Sequence, residues 1–143
     1  MTVLVILSGV LLHAVQSDAL ASAARRQLQL KAQYIYHLLA NAMAENSGRS
    51  HLRTLAEGIL ENRIDGPGRE TADLLERIRP RDFAVEVRVR TEDGRCVTVR
   101  THENAGAGDV FKFSGRFALI SVRGEAEARA DVFEVEVSLF RTG

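Results

Sequence analysis

The sequence predicts an α+β fold: a long N-terminal α-helix with a hydrophobic front and an amphipathic rear, two short helices, and a four-stranded antiparallel β-sheet head packed on the helix. Three observations lead to this prediction. An apolar run begins at Val3 and continues into a helical pattern, two shorter helical patterns follow, and the periodicity changes to two residues at Phe83. We expect a helical unit over residues 1–47 and a head over residues 48–143, with the short helices within 50–79 and the sheet within 83–141.

The first helix is expected to run from about residue 3 to about residue 46. Residues 3–15 are apolar apart from Ser8, Gly9 and His13. As a helix they rise only about 20 Å, whereas the bilayer core is about 30 Å thick. No proline or glycine interrupts residues 18–44, and "ENSG" at 45–48 is typical of a helix end. The rear apolar positions, spaced mostly by three, four or seven, are Leu20, Ala24, Leu28, Ile35, Leu38, Leu39 and Ala42.

Two shorter helices follow in the sequence. "SHLRTLAEGILENRI" predicts a helix capped by Ser50, and "DGPG" at 65–68 is expected to break it. "RETADLLERIRP" then predicts a third helix that ends before Pro80.

The rest of the chain has the two-residue period of strands. "FAVEVRVRT" and "CVTVRTH" flank "EDGR", in which Asp93 and Gly94 favour a tight turn. "ENAGAGD" predicts a loop, "VFKFSGRFALISV" a third strand with a bulge at Gly115, and "ADVFEVEVSLF" the fourth strand. Such a sheet has one apolar face that something must cover, and the amphipathic rear of the first helix is the expected cover.

Charge and chemistry exclude several classes of function. The chain has 19 basic and 19 acidic residues, which does not favour a nucleic-acid partner or binding to an anionic membrane surface. Cys96 is the only cysteine, so no intrachain disulfide forms; it has no base partner and is expected to be buried in its strand. His102, Glu103 and Asp109 lack ordered ligand spacing. We therefore expect no catalytic residues, no metal and no cofactor. The aromatic residues are expected to pack in the core: Tyr34, Tyr36, Phe111, Phe113, Phe117, Phe133 and Phe140.

The layout resembles that of type IV pilins, in which a hydrophobic helix turns amphipathic beneath a β-rich head. Three stretches are similar to archaeal type IV pilin-like proteins in particular: "YIYHLLANAMAEN", "LRTLAEGILENRI" and "LLERIRPRDFAVEVRVRTEDGR". Bacterial type IV pilins have a glutamate near the start of the apolar helix. Here no glutamate precedes Glu45, which disfavours the bacterial version.

This resemblance implies a structural subunit of an extracellular, archaeal type IV pilus-like filament. The implied partners are identical subunits in a helical homopolymer, membrane lipid before assembly, and a pilus assembly platform with its ATPase. In that family a prepilin peptidase removes a short charged leader, and whether such a leader precedes residue 1 stays open. The residues expected to pack in the filament core are Val3, Leu4, Val5, Ile6, Leu7, Val10, Leu11, Leu12, Val15 and Leu20. Those expected to allow close helix contact are Ser8, Gly9, Ala14, Ser17 and Ala21.

The helix pattern itself requires a cover, because a front third that is apolar nearly all round must lie in lipid or against copies of itself. Two alternatives to a filament therefore stay open. One is a membrane-tethered pseudopilin or surface protein that does not polymerise extensively. The other is a secreted binding domain whose first 21 residues form a cleaved signal peptide, although no positively charged segment precedes the apolar run. The sequence also leaves adhesion, motility and DNA uptake as open roles of a filament.

Overall fold

The computed structural model describes residues 2–102, 105–124 and 127–142, and for residues 2–10, 105, 107 and 123 it describes the backbone only. The described chain confirms the predicted α+β fold. The sheet is antiparallel throughout, with strand order β2-β1-β4-β3. The elements are α1 (Thr2–Asn41), α2 (His51–Glu61), α3 (Asp65–Ile78), β1 (Phe83–Thr91), β2 (Cys96–Arg100), β3 (Ala105–Arg123) and β4 (Glu127–Thr142).

Helix α1 is a single helix of 40 residues, which corresponds to a length of about 60 Å. It ends at Asn41, whereas the sequence placed its end near residue 46. The "ENSG" stretch forms the turn after the helix. There the Ala44 amide donates to the Arg49 carbonyl at 2.7 Å, and Gly48 has a φ of 63°. The chain thus reverses tightly between α1 and α2.

The two short helices begin and end for identifiable reasons. The Ser50 hydroxyl accepts a hydrogen bond from the Arg53 amide at 3.2 Å, which confirms the predicted cap of α2. The break that follows lies at Asn62, whose φ of 55° stops the helix. The prediction that "DGPG" is the break was wrong, since α3 begins at Asp65 and these residues form its first turn. Pro67 is tolerated there because the first amides of a helix have no intrahelical acceptor.

The sheet is built from two hairpins. Strands β1 and β2 connect through a turn in which the Thr91 amide donates to the Arg95 carbonyl at 2.8 Å and Gly94 has a φ of 92°. Strands β3 and β4 pair as far as Arg123 opposite Glu127. The predicted loop was partly wrong: β3 already begins at Ala105, and only a register shift separates that pairing from the one that starts at Val110.

One part of the sheet has only two strands. Strand β1 ends at Thr91, opposite Phe133 of β4. Residues 118–123 of β3 and 127–132 of β4 pair beyond that point as a two-stranded extension, which we call the distal ribbon. The sequence pattern predicted the strands but not this difference in length.

The core lies between the helices and one face of the sheet. Ala32, Ile35 and Leu39 of α1 are buried against the inward side chains of the strands. The amphipathic rear of α1 therefore covers the sheet as predicted. The buried apolar residues of the sheet are Phe83, Ala84, Val85, Val87, Val89, Val97, Val99, Leu119, Phe133, Val135, Val137 and Leu139.

Gly115 has a packing role instead of the predicted bulge. Its pairing with Val135 is continuous with the pairs on either side. A Cβ on Gly115 would lie 2.8 Å from the Tyr36 ring, and the Tyr36 hydroxyl donates to the Arg116 carbonyl at 2.9 Å. The glycine is therefore needed because an aromatic ring of α1 lies directly on the strand.

Two burial predictions were wrong. Cys96 is exposed, because it lies opposite Arg90 on the outer face of the sheet while its neighbour Val97 points into the core. Tyr34 is 63% exposed, because Ile35 and Ala32 occupy the side of α1 that meets the sheet.

Candidate assembly surface

The most unusual surface of the molecule is the front half of α1. Every described side chain from Leu11 to Gln27 is exposed, and Leu28 is the first to be even partly buried. We call residues 11–27 the stem. Its large apolar side chains are far more open to solvent than a water-soluble surface helix allows: Leu11 is 68%, Leu12 61%, Val15 58% and Leu20 71% exposed. Several large apolar side chains exposed along one helix are typical of an interaction site.

The stem is helical although no described part of the chain covers it. No proline or glycine occurs between Val10 and Asn41, and the segment is rich in alanine, leucine and glutamine, which are good helix formers. Nucleation is the costly step of helix formation, whereas propagation from an existing helix is close to neutral. The covered half of α1 can thus supply the nucleus from which the stem propagates.

Few charges interrupt the stem. Its ionisable residues are His13, Asp18, Arg25 and Arg26, and the two arginines lie near its junction with the head. Arg25 approaches Asp109 of β3 at 3.9 Å, with the two side chains 69% and 73% exposed. Such an open ion pair contributes a fraction of a kcal/mol at most. The head therefore holds the base of the stem only loosely.

The predicted assembly residues divide into two groups. Leu11, Leu12, Val15 and Leu20 are exposed on the stem, as are the small residues Ala14, Ser17 and Ala21. The remaining predicted residues belong to the helix backbone of α1, but their side chains lie outside the described ones: Val3, Leu4, Val5, Ile6, Leu7, Ser8, Gly9 and Val10. Among the described residues, no helix combines the length and apolarity needed to cross a membrane.

Sequence reasoning missed an extension of this surface along the covered half of α1. Leu30 is 56% and Tyr34 63% exposed, on the side of the helix away from the sheet. Together with Leu20 and Ala23 they follow a spacing of three, seven and four residues, which places them on one helix face. That spacing is already present in the sequence. Helix α1 thus has a second apolar stripe that its own head does not cover.

The head offers no comparable site for chemistry. In the described part of the chain, no group of three or more His, Cys, Asp or Glu side chains could hold a metal ion. His102, Glu103 and Asp109 were considered as metal ligands in the sequence, and Glu103 lies outside the described residues. The His102 amide instead donates to the Glu76 carboxylate at 2.6 Å; this bond, helped by Arg79, lowers the pKa of Glu76. These contacts fix the start of the β2–β3 connection.

An open cleft between α2 and the distal ribbon encloses about 540 Å³, and five of its seven charged side chains form salt bridges with one another. Arg49 and Arg53 both bind Glu57, at 2.5 and 3.0 Å. Burial raises the pKa of Glu57, but the hydrogen bonds from the two arginines outweigh it, so that the pKa lies below its usual value. Arg129 similarly binds Asp131 at 3.2 Å. Salt bridges between its own side chains therefore line most of this cleft.

Comparisons with protein-family models, with curated proteins and with solved structures found no match for this chain.

Proposed function

We propose that this chain is a structural subunit of an extracellular, archaeal type IV pilus-like filament, and that it polymerises through the stem. The observation that carries the proposal is the exposure of every described stem side chain from Leu11 to Gln27, including the four large apolar ones. A helix of this kind is a surface for another molecule, because its side chains add nothing to the core of their own chain.

Identical stems are the cover that we propose. Each stem leucine gains about 2 kcal/mol when it is fully buried, so a bundle of parallel stems removes a large cost at once. The small residues Ala14, Ser17 and Ala21 allow the helix backbones to approach closely. The second apolar stripe, with Leu30 and Tyr34, would continue the same contact beside the heads. Packing along the whole of α1 would then give the filament its core.

The resemblance to archaeal pilin-like proteins supplies the rest of the proposal. By that resemblance, the subunit waits in membrane lipid before assembly, and a platform protein and its ATPase move it into the filament. Transfer of an apolar helix from lipid to a protein bundle changes its hydrophobic burial little, so association would depend on close packing between helices.

Assembly of the full-length chain tests this proposal. The purified chain is released from mild detergent, and filaments are counted by electron microscopy and by the fraction that sediments. Leu11→Asp should lower the sedimenting fraction at least about tenfold, since burial of an unpaired carboxylate costs well over the 1.4 kcal/mol that a factor of ten requires. Met43→Asp is the matched control, because Met43 has the same exposure of 68% but lies outside α1.

Three outcomes would contradict the proposal. The first is a Leu11→Asp chain that forms filaments as well as the Met43→Asp chain does. The second is a native chain that only binds vesicles and never polymerises, which would support the membrane-tethered alternative. The third is a mature N-terminus at Ser22 in mass spectrometry of the native protein, which would leave a secreted domain without most of the stem.

A further inference from the structure

The distal ribbon has a second uncovered apolar surface, far from the stem. Its outward side chains form three consecutive cross-strand pairs, and all six are apolar. Ile120 is 66% and Val122 71% exposed. We call these six residues the ribbon face: Ala118 with Val132, Ile120 with Ala130, and Val122 with Ala128.

The two sides of the ribbon differ sharply. On the inner side, Leu119 is buried beside α2, and Arg129 and Asp131 form a salt bridge. On the outer side, five of the six residues of the ribbon face are exposed, and Val132 is half-buried. Exposed strands usually have polar outward residues, and the outer face of the four-stranded part follows this rule with Arg88, Arg90 and Glu134. The change to an entirely apolar face therefore makes the ribbon face a candidate contact surface.

The pairing register makes the ribbon face complementary to itself. Each of the three pairs contains one alanine and one larger side chain, and the larger one changes strand after the first pair. A two-fold axis parallel to the strands brings the two strands of a pair opposite each other. Ile120 then lies against Ala130 of the second copy, and Val122 against its Ala128. A two-fold axis across the strands would instead set Ile120 against Ile120 and leave a gap between two alanines.

The charges at the edge of the ribbon face fit the same axis. The next cross-strand pair is Arg116 with Glu134. With the axis parallel to the strands, Arg116 lies against Glu134 of the second copy, and the reverse contact forms by symmetry. Within one chain, Glu134 forms a salt bridge with Arg90, and the charge of Arg116 also helps to lower the pKa of Glu134. A second copy thus supplies both an apolar surface for the ribbon face and opposite charges for Arg116 and Glu134.

We propose that the ribbon face binds the same face of a second copy of this chain, with the two-fold axis parallel to β3 and β4. Arg25 lies near Asp109, and Tyr36 lies near Arg116, so α1 and β3 run in the same direction. The axis therefore directs both stems the same way. The two stems lie on the outer sides of the pair, beyond the distance of about 8–10 Å at which helices touch. This contact hence joins subunits from two separate stem bundles.

The size of the contact explains when it forms. The ribbon face has only six side chains, three of them alanine, so it is smaller than the surface of about 800 Å² that each partner buries in a stable complex. Such a contact is weak between free chains and becomes strong when many copies are held side by side. Its strength in the cell, though not its geometry, rests on the filament function proposed above.

Cysteine cross-linking tests the contact and its axis together. In a Cys96→Ser background, Ile120→Cys and Ala130→Cys chains carrying different tags are mixed in mild detergent at about 1 mM, a concentration typical of tethered partners. They are then treated with a thiol-specific bifunctional reagent that spans about 10 Å, the usual spacing of sheets packed face to face. The mixed cross-linked dimer should form in several-fold excess over either homodimer, because the axis places these two positions directly opposite each other across the contact. Thr98→Cys mixed with Ala130→Cys is the control, since Thr98 lies on the same outer face but on β2.

Several results would overturn this proposal. The first is a yield of the mixed dimer no higher than that of the Thr98→Cys control. The second is a predominant Ile120→Cys homodimer, which would indicate an axis across the strands. The third is loss of the mixed dimer when phosphatidylcholine vesicles are added, which would show that lipid covers the ribbon face. A Val122→Asp substitution added to both chains should lower the mixed yield several-fold without reducing filament formation. Because cross-linking does not require filaments, its failure is separate from a failure of stem assembly.

Discussion

The two halves of α1 have similar apolar content but opposite surroundings. The stem exposes Leu11, Leu12 and Val15, whereas Ile35 and Leu39 of the covered half are 2% and 0% exposed. No break in the helix separates them. Residue type therefore determines that both halves are helical, and only the position of the head determines which half is buried.

This difference separates folding from assembly. Side chains in the covered half form part of the core and contribute to the free energy of unfolding of the head. Side chains in the stem can only contribute when another molecule covers them. A substitution in one half should thus affect one of the two processes and leave the other nearly unchanged.

The largest expected effect comes from equal truncations in the two halves. Leu39→Ala should lower the free energy of unfolding by about 2–5 kcal/mol, because Leu39 is fully buried and leaves a cavity. Leu12→Ala should change it by less than about 0.5 kcal/mol, since this side chain is 61% exposed. Urea unfolding of the full-length chain in detergent, followed by circular dichroism, measures both.

The comparison would break if both leucines had similar effects on unfolding. Equal losses would mean that the stem packs on the head, contrary to its exposure. Filament formation should show the opposite pattern. Leu12→Ala should weaken filament formation although it changes the free energy of unfolding very little.

A smaller effect is expected where α1 meets β3. Gly115→Ala should lower the free energy of unfolding by about 1–3 kcal/mol, because its Cβ would lie 2.8 Å from the Tyr36 ring and force the helix or the ring to move. Gly66→Ala is the matched control, since nothing lies within 4 Å of a Cβ at that position. Replacing Gly66 in the first turn of α3 should be neutral or slightly stabilising.

A double substitution locates the cause of that loss. In a Tyr36→Ala background, Gly115→Ala should cost clearly less than in the native chain, since the ring that crowds the added methyl group is gone. Equal costs in the two backgrounds would show that Gly115 matters for its strand and not for the covered half of α1.

The sequence predicted the elements whose signals are local. The Ser50 side chain has its hydrogen-bonding partner within one helical turn, and the alternation from Phe83 to Thr91 is visible without knowledge of the neighbouring strands. The amphipathic rear of α1 was equally visible as a helix face. These patterns were sufficient for the fold class and for the burial of the sheet by α1.

The features that the sequence did not predict depend on distant contacts. Gly115 suggested a bulge because the ring above it belongs to Tyr36, 79 residues earlier in the chain. "DGPG" suggested a break because its role depends on Asn62 having already stopped α2. The ribbon face became visible only when the register paired the two strands beyond the end of β1. In each case the residue types were clear and their partners were not.

The smallest expected effect concerns two histidines, one in the head and one in the stem. His51 is 5% exposed, and its Nδ1 lies 3.3 Å from the Thr71 hydroxyl, so its ring links α2 to α3. Burial lowers the pKa of His51; the Glu70 carboxylate opposes this shift and Arg77 adds to it. His13 is exposed on the stem.

A lowered histidine pKa makes the fold sensitive to acid. The unfolded chain binds a proton near pH 6.5, whereas folded His51 resists protonation, so its stabilising contribution is fully present above that pH and is lost as the pH falls through the folded pKa. We therefore expect the melting temperature to fall between about pH 7 and about pH 5, and His51→Gln to reduce that fall. His13→Gln should leave it unchanged, because the stem takes no part in the fold of the head. If His13→Gln instead flattened the pH profile and His51→Gln did not, the stem would be contributing to the stability of the head, and the separation of folding from assembly would be wrong.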